Sequence, residues 1–139
     1  MRKSSHVQYD LEIHIVWTTK YRYRVLQGRI AERAREIIRQ CCKSMNVNII
    51  TGSIGKEHIH ILVSIPPSLS VSKLVQQLKG KTSRVLLNEY RELKQRYWGQ
   101  HLWSAGYFCR SVGTVTKNTI VDYIENQQDE FEDNFKIIQ

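Results

Sequence analysis

The sequence predicts an α+β domain whose elements follow the order β-α-β-β-α-β-α, and three stretches predict it. From Val7 to Thr18 polar and apolar residues alternate, the period of a half-buried strand. From Ile30 to Met45 the apolar residues recur at helical spacing. Glu57-His58-Ile59-His60-Ile61-Leu62-Val63-Ser64-Ile65 is rich in β-branched residues and is stopped by Pro66-Pro67, a pair that cannot continue a ladder.

In order along the chain, the first strand places Tyr9, Leu11, Ile13, Ile15 and Trp17 on one face, and Asp10, Glu12, His14 and Val16 on the other. His14 has no partner at strand spacing and reads as a neutral surface or packing histidine. Thr18-Thr19-Lys20-Tyr21-Arg22-Tyr23-Arg24 then alternates basic and aromatic residues, as a solvated loop or a phosphate-contacting segment with rings that can stack on bases would. In the first helix, Ile30, Ala31, Ala34, Ile37, Ile38, Cys41, Cys42 and Met45 form the apolar stripe, which makes packing the role of the two cysteines. Val47–Ile54 reads as a second strand, returning through a tight turn at Gly55-Lys56 into the histidine strand as an antiparallel hairpin.

Ser70 is a good cap for a second helix, with Val71, Leu74, Val75, Leu78, Val85 and Leu86 on one face and a break expected near Gly80. Its outer face is basic, with Lys73, Lys79, Lys81 and Arg84. Leu102–Arg110 reads as the fourth strand, Gly106 marking a bulge or a close backbone approach. Thr116 caps a last helix running to about Gln128 or further, with Ile120, Val121, Ile124, Phe131 and Phe135 on its apolar stripe. This order is a split-βαβ, ferredoxin-like antiparallel sheet with two helices on one face and an extra C-terminal helix.

The 139 residues suffice for one domain, with a core at about residues 7–128. Lys+Arg 21 against Asp+Glu 13 gives a formal charge of +8 and favours a polyanionic partner. No apolar run approaches the ~20 residues that span a bilayer, and Met1–His6 lacks the apolar core of a signal peptide. Three cysteines form neither a disulfide framework nor a zinc spacing, so the expected compartment is the cytoplasm.

Chemistry concentrates on two stretches. His58 and His60 alternate with Ile59 and Ile61, so both imidazoles stand on the face away from the core, able to share one metal ion or to stand as solvated polar groups. On the last helix Tyr123 and Gln127, four residues apart, lie on one side. Docked over the histidine face, they complete a site of two imidazoles, one amide oxygen and one nucleophilic hydroxyl. Otherwise Tyr123 borders a core and Gln127 faces water.

The stretches Trp17–Arg22, His58-Ile59-His60, Leu74–Arg84 and Tyr123-Ile124-Glu125-Asn126-Gln127 together resemble the single-tyrosine HUH transposases of minimal insertion sequences, in order and spacing from about Val7 to Gln128. The resemblance implies that Tyr123 attacks a scissile phosphodiester and forms a 5′-phosphotyrosine link. It implies that His58, His60 and Gln127 hold Mg²⁺ or Mn²⁺. The expected substrate is single-stranded DNA with hairpins at the element's ends, and the expected assembly is a homodimer with active sites shared between subunits. Lys20, Arg22, Arg24, Lys79, Lys81, Arg84 and Arg110 are the expected DNA contacts. The alternatives are a domesticated HUH nuclease acting on chromosomal repeats and a non-catalytic ferredoxin-like nucleic-acid-binding module, which a Tyr123→Phe variant would leave unaffected.

Overall fold

The computed structural model describes residues 11–112 and 134–139. The expected last helix, with its Thr116 cap, Tyr123 and Gln127, lies outside the described residues, as does Tyr9. Five strands form one sheet in the order β4-β1-β3-β2-β5: β1 (Leu11–Thr18), β2 (Asn48–Ile54), β3 (His58–Ile65), β4 (Phe108–Ser111) and β5 (Phe135–Ile137). The first four carry the ferredoxin-like order and pair antiparallel, and β5 joins the β2 edge in parallel.

One face of the sheet is the core. Ile13, Ile15 and Trp17 of β1 and Ile59, Ile61, Val63 and Ile65 of β3 are buried there, as period-two alternation requires. Two helices supply the opposing layer. Helix α1 (Gly28–Ser44) buries Ala31, Ala34, Ile37, Ile38, Cys41 and Cys42, and its burial pushes the Cys42 thiol up to about 12. Helix α2 (Val71–Glu89) buries Leu74, Val75, Leu78, Leu86 and Leu87, and the Ser70 side chain caps it by accepting from the Lys73 N–H. Arg33 of α1 ties the helices together by donating to both carboxylate oxygens of Glu89, at 2.8 and 2.9 Å.

Three expectations about the elements need correction. Helix α2 runs unbroken through Gly80, because the buried stripe on either side outweighs the ~1 kcal/mol that glycine costs in a helix. The expected strand Leu102–Arg110 divides into a single bridge, Trp103 to Thr19, and β4. Between them Gly106 adopts φ +82°, a left-handed conformation that interrupts extended chain. Finally, Phe135 lies on β5 rather than on a helical stripe, is 1% exposed, and fills space above Gly52 that a side chain there would occupy. The packed core therefore extends past residue 128. A short helix α3 (Arg91–Arg96) follows α2, where the sequence reading placed no element.

Trp103 explains why the bridge sits where it does. Its indole packs edge-on against Trp17 at 5.9 Å, and its Nε1 donates to the buried Thr82 hydroxyl at 2.8 Å. Thr82 in turn donates to the Leu78 carbonyl within α2. The two indoles thus lock the start of the β4 segment to α2 and the end of β1.

Candidate active site

His58 and His60 share the face opposite the core, as the alternation predicts, with ring centroids 5.1 Å apart. Pairing with β1 sets Val16 opposite His60 and Thr18 opposite His58. His14 is two residues from Val16 on the same face, and its ring stands 5.7 Å from that of His60. His14 is therefore not isolated: three imidazoles run diagonally across β1 and β3. Strand β4 adds Arg110 opposite His14 and Phe108 opposite Val16. The face is not bare at its β2 side, where Thr51, Ser53 and Leu62 are buried.

The electrostatics favour neutral rings. Burial, then the nearby His58 and His14, pushes His60 down to about 4. Burial, then the Arg110 charge, also lowers His14. A neutral His60 offers a lone pair with no proton to displace, which is what a cation needs from imidazole. His58 Nδ1 lies 2.6 Å from Glu57 Oε1. That hydrogen bond is the main reason the Glu57 carboxyl stays below its ordinary range. Two imidazole nitrogens, one oriented by a carboxylate, fit a divalent cation. Among the described residues no group of three His, Cys, Asp or Glu side chains can hold an ion. The expected amide ligand, Gln127, and the expected nucleophile, Tyr123, lie outside the described residues.

The basic residues fall into two groups. Lys20, Lys79, Lys81 and Arg84 line an open groove of about 1420 Å³ along α2, joined by Lys94 and His101. Lys79 is partly committed, since its Nζ donates to the carbonyls of Ser104 and Gly106 at 2.8 and 2.7 Å and thereby holds the loop before β4. Arg22 and Arg24 are exposed outside that lining, and Arg110 belongs to the histidine face. The two regions meet at the end of β1. Thr19 N–H donates to the Glu57 carbonyl beside the histidines, while Lys20, the next residue, lines the groove.

The Thr18–Arg24 segment, expected to be a solvated loop or a phosphate-contacting stretch, has an unusual backbone. Tyr21 and Arg22 both have positive φ, 64° and 56°, uncommon for such residues. Tyr21 is 66% exposed, its ring 5.4 Å from Tyr23, and Arg96 lies over the Tyr23 ring at 3.9 Å. Trp98, 87% exposed, follows α3. Glu57 was readable only as the residue before a histidine, and His14 only as one polar member of an alternating strand.

The same arrangement of strands and helices is found in known proteins. The family described as IS200-like transposases matches residues 7–127. The chain is 34% identical over 129 residues to the ISDra2 transposase TnpA of Deinococcus radiodurans, covering 93% of this chain and 92% of that protein. It is 38% identical over 128 residues to the transposase for insertion sequence element IS200 of Salmonella typhimurium, covering 91% and 82%. A solved transposase structure from Deinococcus radiodurans R1 superposes with a TM-score of 0.75 at 31% identity, over 94% of this chain and all of that one. A REP-associated tyrosine transposase bound to a REP hairpin shares the fold, with a TM-score of 0.62 at 14% identity over 90% and 72% of the two chains. This chain belongs to the IS200-like transposase family.

Proposed function

We propose that this transposase cleaves and rejoins single-stranded DNA at the ends of an insertion sequence through a 5′-phosphotyrosine intermediate. The observation that carries the proposal is the His58–His60 pair, 5.1 Å apart on the face away from the core, with His60 held neutral by burial. His58, His60 and Gln127 hold Mg²⁺ or Mn²⁺ in this reading. Imidazole nitrogen suits Mn²⁺ better, whereas Mg²⁺ prefers oxygen. A cation held by these residues would supply Lewis acidity to the scissile phosphate.

Tyr123 is the nucleophile. Its hydroxyl loses a proton to solvent or a nearby base, the oxygen bonds to phosphorus, and the bond to the 3′ oxygen breaks, leaving a free 3′-hydroxyl. A second 3′-hydroxyl reverses the step on another end, so the energy of the broken bond is conserved in the tyrosyl ester. A phenol with a pKa near ~10 is a poor nucleophile at neutral pH, so it needs activation or a strongly polarised phosphate.

Lys20, Lys81, Arg84 and Arg22 make salt-sensitive contacts to the DNA backbone, and Arg24 and Arg110 meet phosphates near the histidines. Lys79 contributes charge while holding the 104–106 loop. The working unit in this reading is a homodimer with active sites shared between its subunits. Among the described residues no helix is long and apolar enough to cross a membrane.

The test is a denaturing gel after incubating the chain with labelled single-stranded DNA from its own genomic flanks, with Mg²⁺, Mn²⁺ or EDTA. A covalent protein–DNA band that needs a divalent ion and disappears in Tyr123→Phe is the expected result. Tight hairpin binding with no adduct under any metal would overturn the mechanism.

A further inference from the structure

We propose that Gly55 and Glu57 are positioning residues that select Nε2 of His58 as its metal-ligating atom. Glu57 does so by holding the Nδ1 proton, and Gly55 by leaving the ring a place to lie. The inference rests on reading His58 and His60 as the cation-binding pair.

In a regular strand, neighbouring side chains point to opposite faces, so Glu57 and His58 should not meet. They meet because Glu57 lies in the bend before β3 begins at His58. Three backbone bonds hold that bend. Gly55 N–H donates to the His58 carbonyl at 2.9 Å, Leu26 N–H to the Lys56 carbonyl at 2.9 Å, and Thr19 N–H to the Glu57 carbonyl at 2.8 Å. With the backbone held, Glu57 Oε1 comes to 2.6 Å from His58 Nδ1. An ionised carboxylate can only accept, so Nδ1 carries the proton and the other ring nitrogen is left to bind.

Gly55 acts on the same ring from the other side. A Cβ there would lie 2.6 Å from His58 Cε1 and 3.1 Å from each ring nitrogen. The first distance is below any real contact, so an alanine would force the imidazole out of line with Glu57 and with His60. The φ of Gly55 is not in the left-handed region, so what an alanine there would meet is the ring and not a backbone penalty.

The experiment measures Mn²⁺ binding to the full chain by electron paramagnetic resonance, together with the tautomer of His58 from long-range ¹⁵N ring correlations in the metal-free protein. Wild type should show the Nδ1–H form. Glu57→Ala should shift the ring toward Nε2–H and weaken Mn²⁺ by about 10–100-fold, whereas Glu57→Gln, whose amide oxygen still accepts, should recover most of that affinity. Gly55→Ala should weaken Mn²⁺ by about tenfold or more with Glu57 intact. An Nε2–H form in wild type, or wild-type Mn²⁺ affinity in Glu57→Ala, would overturn the proposal even if a variant proved unstable. His60→Ala separates the two levels. If it loses Mn²⁺ while Glu57→Ala does not, the cation pair stands and the positioning role falls; if it keeps Mn²⁺, the pair itself falls and the positioning role with it.

Discussion

The histidine end of β3 and the groove along α2 are built for different problems. At β3 each polar group is constrained: His58 by Glu57 and by the space at Gly55, His60 by burial beside His14. In the groove, cations come from both α2 and α3, and Lys81, Arg84 and Lys94 are exposed. Chemistry on one phosphate needs sub-ångström placement, which only packed neighbours provide. Binding a polyanion needs summed charge, which tolerates freedom in each side chain. In the proposed function, the difference assigns the reaction to a rigid strand end and the binding of DNA to a forgiving helix face.

The comparison breaks most readily at His60. His60→Ala should reduce cleavage by about a thousandfold or more, since cation stabilisation of the reacting phosphate is worth several kcal/mol. Hairpin affinity measured by filter binding should stay within a few fold. Equal losses in both assays would mean that the histidines shape the fold and not the reaction.

A second test asks whether the groove also depends on packing. Thr82→Val removes the acceptor of the buried Trp103 Nε1 and should cost about 1–3 kcal/mol, seen as a lower midpoint in urea. An unchanged midpoint would mean that the groove wall does not rely on that bond.

Proton linkage sharpens the contrast. His60 sits near 4 in the folded chain against 6.5 when free, so the unfolded chain binds the extra proton between those values. Its contribution is complete above 6.5 and is lost as pH falls toward 4. With screening at this half-buried ring, the loss is on the order of 1–2 kcal/mol. Thermal melts of metal-free protein should fall less between pH 7 and pH 4.5 in His60→Gln than in wild type. Identical falls would assign the acid sensitivity to other groups.

The smallest effects belong to the groove. Lys81→Ala and Arg84→Ala should each weaken hairpin binding a few fold and lower the slope of log affinity against log salt by about 0.7–0.9. Additive losses would support a distributed surface. A single dominant residue would make the groove resemble the histidine site.

Local pattern made most of the fold legible. Period two named Ile13, Ile15 and Trp17 as core residues, and Ile59 and Ile61 likewise. Helical spacing named Ala34, Ile37 and Ile38, and the cap at Ser70 began α2 as expected. The errors came where distant contacts decide. Gly80 looked like a breaker because helix propensity is local, whereas the stripe that holds α2 together is tertiary. Phe135 suited a helical stripe by count, yet it pairs through β5 with β2 and packs at Gly52.

The candidate site divides in the same way. By itself the sequence determined that His58 and His60 share a face, because side-chain alternation along a strand is a property of the backbone. Only the tertiary structure decided that His14 stands beside His60, since strand register sets which residues of β1 meet β3. Only it decided that Glu57 reaches His58 and that Gly55 leaves room for the ring, because both depend on a bend held by bonds from Thr19 and Leu26, after β1. Residue types and their period follow from covalent geometry, whereas the meeting of side chains across strands follows from how the chain packs.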